Sequence, residues 1–582
     1  MILTERDKAL FETTKRLLAQ VVNEGLCDAT VEICHLGETR QLCLHPRSGS
    51  EDASLVRVTL KPGIVLATND NHVISIVRPE YLQPPIIARN KDLYDRDPEV
   101  ILECMKSWFI LDISENIIKE IGRELRNCAD NQEKWLQIAR SSPKVLTLND
   151  PSVSWEKTLI YGHPSHPYHR LCYAQPPLKP VHPEDITSML TPTLAFISVP
   201  RKDLCVTGPF VQTLQPLLRR LEIPETSSDR VVVPCLVQQL PSINHRFMDV
   251  DVLRMVNDCA DAQVSLRTLT LRPELNFGYH MKLSLACQIT SALRTITPWT
   301  TQGGHMVTEI LEKFLPDDLW VFREVAAVTG SQSDFDAAKH LSCILRDSLE
   351  SRAEANGERL VVAAALAQTP YSIDVTYAEL LFGLNSLSQK QEWFRNYIKC
   401  LFELVLPPLV KYGIGLEAHG QNIVARICQQ TNRVKGFAVR DFGGIRLHVP
   451  TLERFSVDFS SLPPGGAILT HDMHKVWSKV HHSLLQNHVG LLLTALGLER
   501  ATGWGITLET LEQVLDPDGD IHGKYLYEYF TQDTMPFKCF LRMRMEGKYR
   551  DYIERQVPNV LLTDSPRWES AIAAYQSSLQ YT

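Results

Sequence analysis

Apolar residues recur at helical spacing from the start of the chain. Leu10, Phe11, Leu17, Leu18, Val21 and Val22 fall on one face behind Thr4-Glu5-Arg6-Asp7, whose composition is that of a capping box, and Gly25 is placed to end the helix. Residues 55–60 alternate like a strand. Prolines cluster between Pro164 and Pro200, which predicts a rigid, mostly irregular stretch with a boundary just before it. From Asp261 the period changes to two. Residues 263–271 and 279–286 alternate around a 272–278 segment of turn chemistry, predicting an antiparallel hairpin. Residues 436–440 alternate and stop at Asp441 and two glycines, which predicts a strand delivering Asp441 to its end. After residue 375 helices dominate, including one over 392–411, and the part from Val476 on is mainly helical.

Length and composition change the picture in two respects. At 582 residues the chain exceeds a single core. The pattern divides it into an N-terminal unit 1–150, a middle unit 151–374 and a C-terminal unit 375–582. Hydrophobic residues make up 44% and charged residues 22%, as in a globular protein. The longest apolar runs, 360–367 and 489–498, have the length of core helix segments and fall short of a membrane span. The first residues read as an amphipathic helix and not as a signal peptide. A formal net charge of −8 argues against nucleic acid or an anionic membrane as partner. Fourteen cysteines are scattered without any Cys-x-x-Cys pair, as in a reducing cytoplasm.

Three segments concentrate chemistry. Glu417-Ala418-His419-Gly420-Gln421-Asn422 and Arg440-Asp441-Phe442-Gly443-Gly444 gather carboxylates, an imidazole and amides within a short span. Asn422 and Asp441 suit Mg²⁺, a hard cation held by few protein oxygens together with phosphates and water. Protein kinases use an Asn and a later Asp-Phe-Gly in this way, but the kinase glycine-rich loop and His-Arg-Asp element are absent. His419 also fits a buried, hydrogen-bonded histidine, and Asp441 a turn-forming one. The hairpin supplies the second segment. In its second strand Tyr279, Met281, Leu283 and Leu285 share one face. Ser265, Arg267 and Lys282 then lie together on the polar face, and Thr290 and Arg294 become neighbours if a helical turn carries them. Cations and hydroxyls so grouped suit phosphate or carboxylate, although a solvated sheet face has the same composition. The third is Gly162-His163-Pro164-Ser165-His166-Pro167-Tyr168-His169-Arg170. Its His-Pro steps hold the backbone extended, so a metal site is disfavoured against a loop that presents imidazole and Arg170 to an anion, or one that is merely structural.

In order and spacing over roughly residues 150–560 these segments resemble the IucA/IucC siderophore synthetases, which act independently of non-ribosomal peptide synthetases. The matching elements are Gly-His-Pro-x-His-Pro at 162–167, Ser-x-Arg-Thr at 265–268, Lys-Leu-x-Leu at 282–285 and Ile-Thr-Ser-x-x-Arg at 289–294. They continue with Glu-Ala-His-x-Gln-Asn at 417–422, Arg-Asp at 440–441, and a Lys538-to-Arg544 segment. The resemblance implies an α+β, multidomain, hand-like architecture of thumb, fingers and palm, with antiparallel sheets and a helical C-terminal part. It also implies that ATP and Mg²⁺ activate a carboxylate of citrate or a related polycarboxylic acid as an acyl-adenylate, which an amine or alcohol then attacks.

By motif, the nucleotide falls to Ser265, Arg267, Thr268, Lys282, Thr290, Arg294, His163, His166 and Gln421. Catalysis falls to His419, Arg267 and Lys282. The substrate carboxylate falls to Arg170, His419, Lys538 and Arg542, and the metal to Asn422 and Asp441. The family usually carries Lys, Arg and Gly after the His-Pro-x-His-Pro loop, where this chain has Arg170, Cys172 and Ala174; that puts the usual acid in question more than ATP use. A cytoplasmic protein is expected, with small-molecule partners and a homodimer allowed. The rivals are a small-molecule kinase built on Asn422 and Asp-Phe-Gly, and a catalytically silent nucleotide-binding protein of the same fold.

Overall fold

The computed structural model describes residues 3–33, 39–47, 54–88, 93–94, 96–109, 113–371, 373–462, 465–499, 502–548 and 553–579. It is a mixed helix-and-sheet protein whose sheets are almost wholly antiparallel. Among the described residues no helix is long and apolar enough to cross a membrane, and no disulfide joins the cysteines.

The first helix, Glu5–Asn23, is closed by the expected box. The Asp7 amide donates to Thr4 Oγ1 at 3.1 Å, and the Thr4 amide donates back to Asp7 Oδ2 at 3.3 Å. Its apolar face packs Leu17, Leu18 and Val21 against Leu42, Leu44, Val56 and Val58 of a seven-stranded antiparallel sheet, with the long helix Glu115–Ser141 alongside. The predicted strand at 55–60 is Val56–Leu60.

A six-stranded antiparallel sheet forms the second core. Its order is Leu204–Thr207, Glu324–Gly330, Ser342–Asp347, Tyr279–Leu283, Thr268–Leu271, Ala260–Ala262. The predicted hairpin is present, with Thr268 opposite Lys282 and Leu269 opposite Met281. Its first strand is shorter than alternation suggested. Residues 263–267 form instead the turn of a second hairpin, in which the Gln263 amide donates to Thr268 O at 2.8 Å and Leu266 adopts φ +59. The helical turn expected around Thr290 and Arg294 is likewise a tight β-hairpin. Cys287–Ile289 pairs with Ala292–Leu293, and Thr290 takes φ +57. The proline-rich stretch also holds more regular structure than expected, including the buried strand Leu194–Pro200.

The third core surrounds a four-stranded sheet and the helix Leu387–Tyr412. That helix begins earlier than predicted because Ser386 and Gln389 form a capping box. Three residues of the 360–367 run, 360–362, are strand and not helix: Glu358–Val362 pairs with Ile423–Cys428. Val434–Val439 lies antiparallel to Ile423–Cys428, with Ile423 opposite Val439, so Asn422 and Arg440 emerge side by side and the Arg440 amide donates to Asn422 O at 3.1 Å. The C-terminal part is mainly helical, with a hairpin of Thr534–Lys538 and Glu554–Pro558 as the exception.

Candidate active site

A cavity of about 1590 Å³ opens where the three cores meet. Its wall takes Glu12, Lys15 and Arg16 from the first helix, the 162–170 loop, and Ser265, Thr290 and Arg294 from the two hairpin turns. It also takes 417–421, one face of a helical segment from Met473 to Asn487, and Lys538 with Glu554 from the last hairpin. So Ser265, Thr290, Arg294, His163, His166, His419, Gln421 and Lys538, from distant parts of the chain, face one space. Arg267, Thr268, Lys282, Asn422 and Asp441 are not among the lining residues and stand behind that wall.

The two turns show how this works. Ser265 Oγ lies 3.1 Å from Thr268 Oγ1 and accepts from the Thr268 amide at 3.3 Å, so Thr268 fixes the hydroxyl that reaches the cavity. Arg267 Nη1 donates to the carbonyls of Arg294 and Thr295 at 2.8 and 3.0 Å, bracing the strand that carries Arg294. Arg294 Nη2 donates to Ile289 O at 3.0 Å and Thr290 Oγ1 at 3.1 Å. The positive φ of Leu266 and Thr290 is local strain held by these bonds, the kind of backbone that persists where its surroundings over-determine it.

Next to this wall lies a buried charge network. Asp441, at φ +64, receives Lys282 Nζ at 2.7 Å and Arg346 Nη1 at 3.2 Å, both on Oδ1. Arg346 is wholly buried and gives Nη2 to Gln263 Oε1 at 2.9 Å. Arg440 donates to the same Gln263 oxygen at 3.2 Å, to Glu156 Oε1 at 2.6 Å and to Gln421 O at 3.0 and 2.8 Å. Burial acts to raise the Asp441 carboxyl, but Lys282, Arg346 and Arg440 outweigh it and hold the group well below the usual carboxylate range. Asn422 Nδ2 donates to Glu417 Oε2 at 3.3 Å, which turns the amide oxygen toward other partners. Glu417 is in turn ion-paired with Lys479. A Cβ at Gly444 would fall 1.9 Å from Glu417 Oε2, so glycine is required for this approach. The amide oxygen of Asn422 and Oδ2 of Asp441 are hard donors. Two such oxygens, completed by phosphate and water, fit Mg²⁺.

The imidazoles have defined tautomers. His163 Nδ1 accepts from the Ser165 and His166 amides at 3.3 and 3.1 Å, His166 Nδ1 from Tyr168 at 3.0 Å, and His419 Nδ1 from Gln421 at 3.3 Å. Each therefore carries its proton on Nε2 and is a donor there, suited to an anion. Burial lowers the pKa of all three, to about 3 for His163, so they act as neutral donors. Lys538 stands over the Phe540 ring at 5.3 Å, and burial together with Lys479 pushes its ammonium down to about 8.

Two expected carboxylate contacts are committed elsewhere. Arg170 is buried, donates to Ile160 O at 3.0 Å and to Leu159 O, and stacks 3.8 Å over Trp135. The loop is thus held from within: two Arg170 nitrogens are engaged by backbone carbonyls, while the residue also lines the cavity. Arg542 does not line the cavity; it pairs with Glu546 at 3.0 Å, one helical turn away. Sequence reasoning in turn missed Arg346, Glu324, Lys479 and the first-helix residues Glu12, Lys15 and Arg16. Arg346 carried a faint signal, as a charge within a largely apolar strand, whereas Glu324 opens its strand next to Arg323 and carried none. The helix residues carried none, since Lys and Arg on a helix ordinarily meet water.

Two family models match the chain. The model described as the IucA / IucC family covers residues 248–368, and one described as a ferric iron reductase FhuF-like transporter covers residues 391–553. The chain is 46% identical to an NRPS-independent siderophore synthetase-like protein, ankE, of Aspergillus thermomutatus, over 97% of each chain. It is 24% identical to a D-ornithine–citrate ligase of Staphylococcus aureus, over 97% of this chain and 94% of the other. In fold it is similar to ATP-bound aerobactin synthetase IucA from a hypervirulent pathotype of Klebsiella pneumoniae, with TM-score 0.72 and 14% identity, over 94% of this chain and 99% of that chain.

Proposed function

The chain belongs to the IucA/IucC family of siderophore synthetases, and we propose that it is an ATP- and Mg²⁺-dependent ligase joining a carboxylate of citrate or a related polycarboxylic acid to an amine or alcohol. The observation that carries this reading is the convergence, in one cavity, of Ser265, Thr290 and Arg294 with three imidazoles protonated on Nε2 and with Lys538, beside the Lys282–Asp441 pair. A relative named for ornithine and citrate, and a fold neighbour holding ATP, support the substrates.

In this reading Ser265, Thr290 and Arg294 hold the triphosphate, with Arg267 and Thr268 bracing them. Asn422 and Asp441 would hold Mg²⁺, which would supply neutralisation of phosphate charge. Lys282 then leaves Asp441 for a phosphate oxygen. The acid's carboxylates lie against Lys538 and the Nε2–H groups of His163 and His419, with His166, whose Nε2 is buried, packed behind them. These preorganised donors lower the barrier to bringing a carboxylate against the α-phosphate. The new carboxylate–phosphorus bond expels pyrophosphate and leaves an acyl-adenylate. The nucleophile's nitrogen or oxygen then bonds to the acyl carbon, and AMP leaves with the electrons of the broken C–O bond. The demand for ATP suits a cytoplasmic setting.

The test is a screen of acids against amines and alcohols with pyrophosphate as readout, backed by trapping with hydroxylamine. Citrate-dependent pyrophosphate release, AMP as nucleotide product and a hydroxamate are expected. ADP in place of AMP would overturn the adenylate mechanism in favour of an acyl-phosphate ligase or a kinase.

A further inference from the structure

One imidazole of the cavity differs from the three that donate. His482 lies on a run of π-helical backbone, His481–Val489, between the helices Met473–Val480 and Gly490–Leu496. In a π-turn, side chains five residues apart stand over one another, whereas in an α-helix they diverge. The wide turn therefore sets Asn487 against His482: Asn487 Nδ2 donates to His482 O at 2.7 Å and to His482 Nε2 at 3.2 Å. Because a carbonyl can only accept, the first bond fixes which end of the Asn487 amide is nitrogen. The same logic fixes Gln486. Its Nε2 donates to Pro536 O at 3.0 Å, so its Oε1, 3.4 Å from His482 Nδ1, is the acceptor. The imidazole is bounded on both sides. It carries its proton on Nδ1 and keeps a lone pair on Nε2, the reverse of His163, His166 and His419.

The lone pair belongs to a group that lines the cavity, as does Asn487. The charged groups nearest it are Lys479 on its own helix and Lys538 on the last hairpin, with His163 across the space. Burial and these two cations keep the ring neutral, at about 3. An anionic acid bound against Lys538 would offset the part of that bias that comes from the cations.

We propose that His482 Nε2 is the proton acceptor for the incoming nucleophile, a role that rests on the ligase reading above. The amine's N–H, or the alcohol's O–H, displaces the Asn487 amide from Nε2 and points its lone pair at the acyl carbon. As the C–N or C–O bond forms and AMP departs, the proton passes to Nε2 and later to water. Asn487 and Gln486 are positioning residues that hold the tautomer. The other three imidazoles cannot serve, because their Nε2 already bears hydrogen.

The experiment compares parent and His482→Ala with citrate as the acid and D-ornithine as the amine. Citrate-dependent exchange of pyrophosphate into ATP is expected to stay within about twofold of the parent. Amide formation is expected to fall on the order of 100-fold, the usual worth of a general base. Hydroxylamine is a strong nucleophile that is unprotonated at neutral pH, so its hydroxamate yield is expected to persist in the variant, and added imidazole to restore part of the amide rate. Parallel loss of exchange and amide formation, an unaltered amide rate, or the same split produced by Lys538→Gln alone would each overturn the assignment. Absence of exchange in the parent counts against the adenylate reading instead. One measurement needs no substrate. Histidine-selective ¹⁵N NMR should lose an Nδ1–H pattern in His482→Ala and an Nε2–H pattern in His163→Ala; the reverse patterns would refute the tautomers on which the proposal stands.

Discussion

Replacing Asp441 by Asn removes one negative charge from between two buried cations. Lys282 Nζ stands 2.7 Å from Asp441 Oδ1 and Arg346 Nη1 3.2 Å, with Arg346 wholly buried. At an effective dielectric near 20 the two attractions are about 6 and 5 kcal/mol gross, before desolvation is subtracted. The measured cost of stripping one partner from a buried ionic group is about 3–5 kcal/mol, because the remaining charge is left uncompensated. Asn keeps an oxygen for the Lys282 bond, so about 3 kcal/mol is expected. Lys282→Met should cost less, about 1 kcal/mol. It leaves Asp441 paired with Arg346, whereas, among the described residues, Asp441→Asn leaves Lys282 with only Glu324 at 3.8 Å and Arg346 with no ion-paired carboxylate. For a unit of some 200 residues these losses translate to about 9 °C and about 3 °C in the calorimetric midpoint. Calorimetry of both variants and of the double variant decides it. The double variant should lose less than the sum, since Lys282→Met removes one of the stranded cations. Equal shifts, or a larger one for Lys282→Met, would refute the picture of Asp441 as the charge that holds this layer together.

Arg294→Ala is expected to cut pyrophosphate release by roughly 100-fold, about 3 kcal/mol of transition-state stabilisation, with little change in midpoint; near-parental release would remove Arg294 from the phosphate site. Arg170→Leu should behave oppositely, lowering the midpoint by loss of the Trp135 stack and two carbonyl bonds while leaving the KM for the acid unchanged. Glu417 would be raised by burial alone, but Lys479 and His419 outweigh it and bring its carboxyl to about 2. A lowered carboxylate contributes stability that is present above about pH 4.5 and lost as pH falls toward 2. Acid titration of Glu417→Gln should therefore lack that part of the parent's loss, and identical acid profiles would count against the Lys479 pairing.

Much of the site was legible where chemistry and chain order coincide. The strand stopping at Asp441 and the hairpin carrying Lys282 follow from alternation ended by glycine or turn residues. Alternation could not say where a strand yields to a turn. Residues 263–267 keep a strand's pattern, yet they turn because Gln263 and Thr268 pair across them and Ser265 caps the loop. Spacing placed Thr290 and Arg294 together for the wrong reason, since a β-hairpin brings residues four apart as close as a helical turn does. Arg170 and Arg542 show the limit of carrying a role by residue type: a guanidinium satisfies carbonyls, an aromatic face or a nearby Glu as readily as a substrate. The π-turn was invisible, because its residues have the composition of any amphipathic helix.

The first helix and the last hairpin meet at one side of the cavity. The Glu24 carboxylate accepts the amides of Leu541 and Arg542 at 2.8 and 2.7 Å, and Arg555 reaches the carbonyl of Asn23 at 3.2 Å. These partners lie 517 and 518 residues apart in sequence, so a ribosome releases Glu24 long before Leu541 and Arg542. The N-terminal core is closed in part by Leu541 and Met545, and the wall that holds Lys538 and Glu554 is absent until residues near 558 have left the exit tunnel. A nascent chain stalled anywhere before that point has an open cleft in place of a reaction chamber. A cut in the last hairpin should therefore open the cavity and loosen both cores to which residues of this region contribute, Met535 and Val557 in one and Leu541 and Met545 in the other.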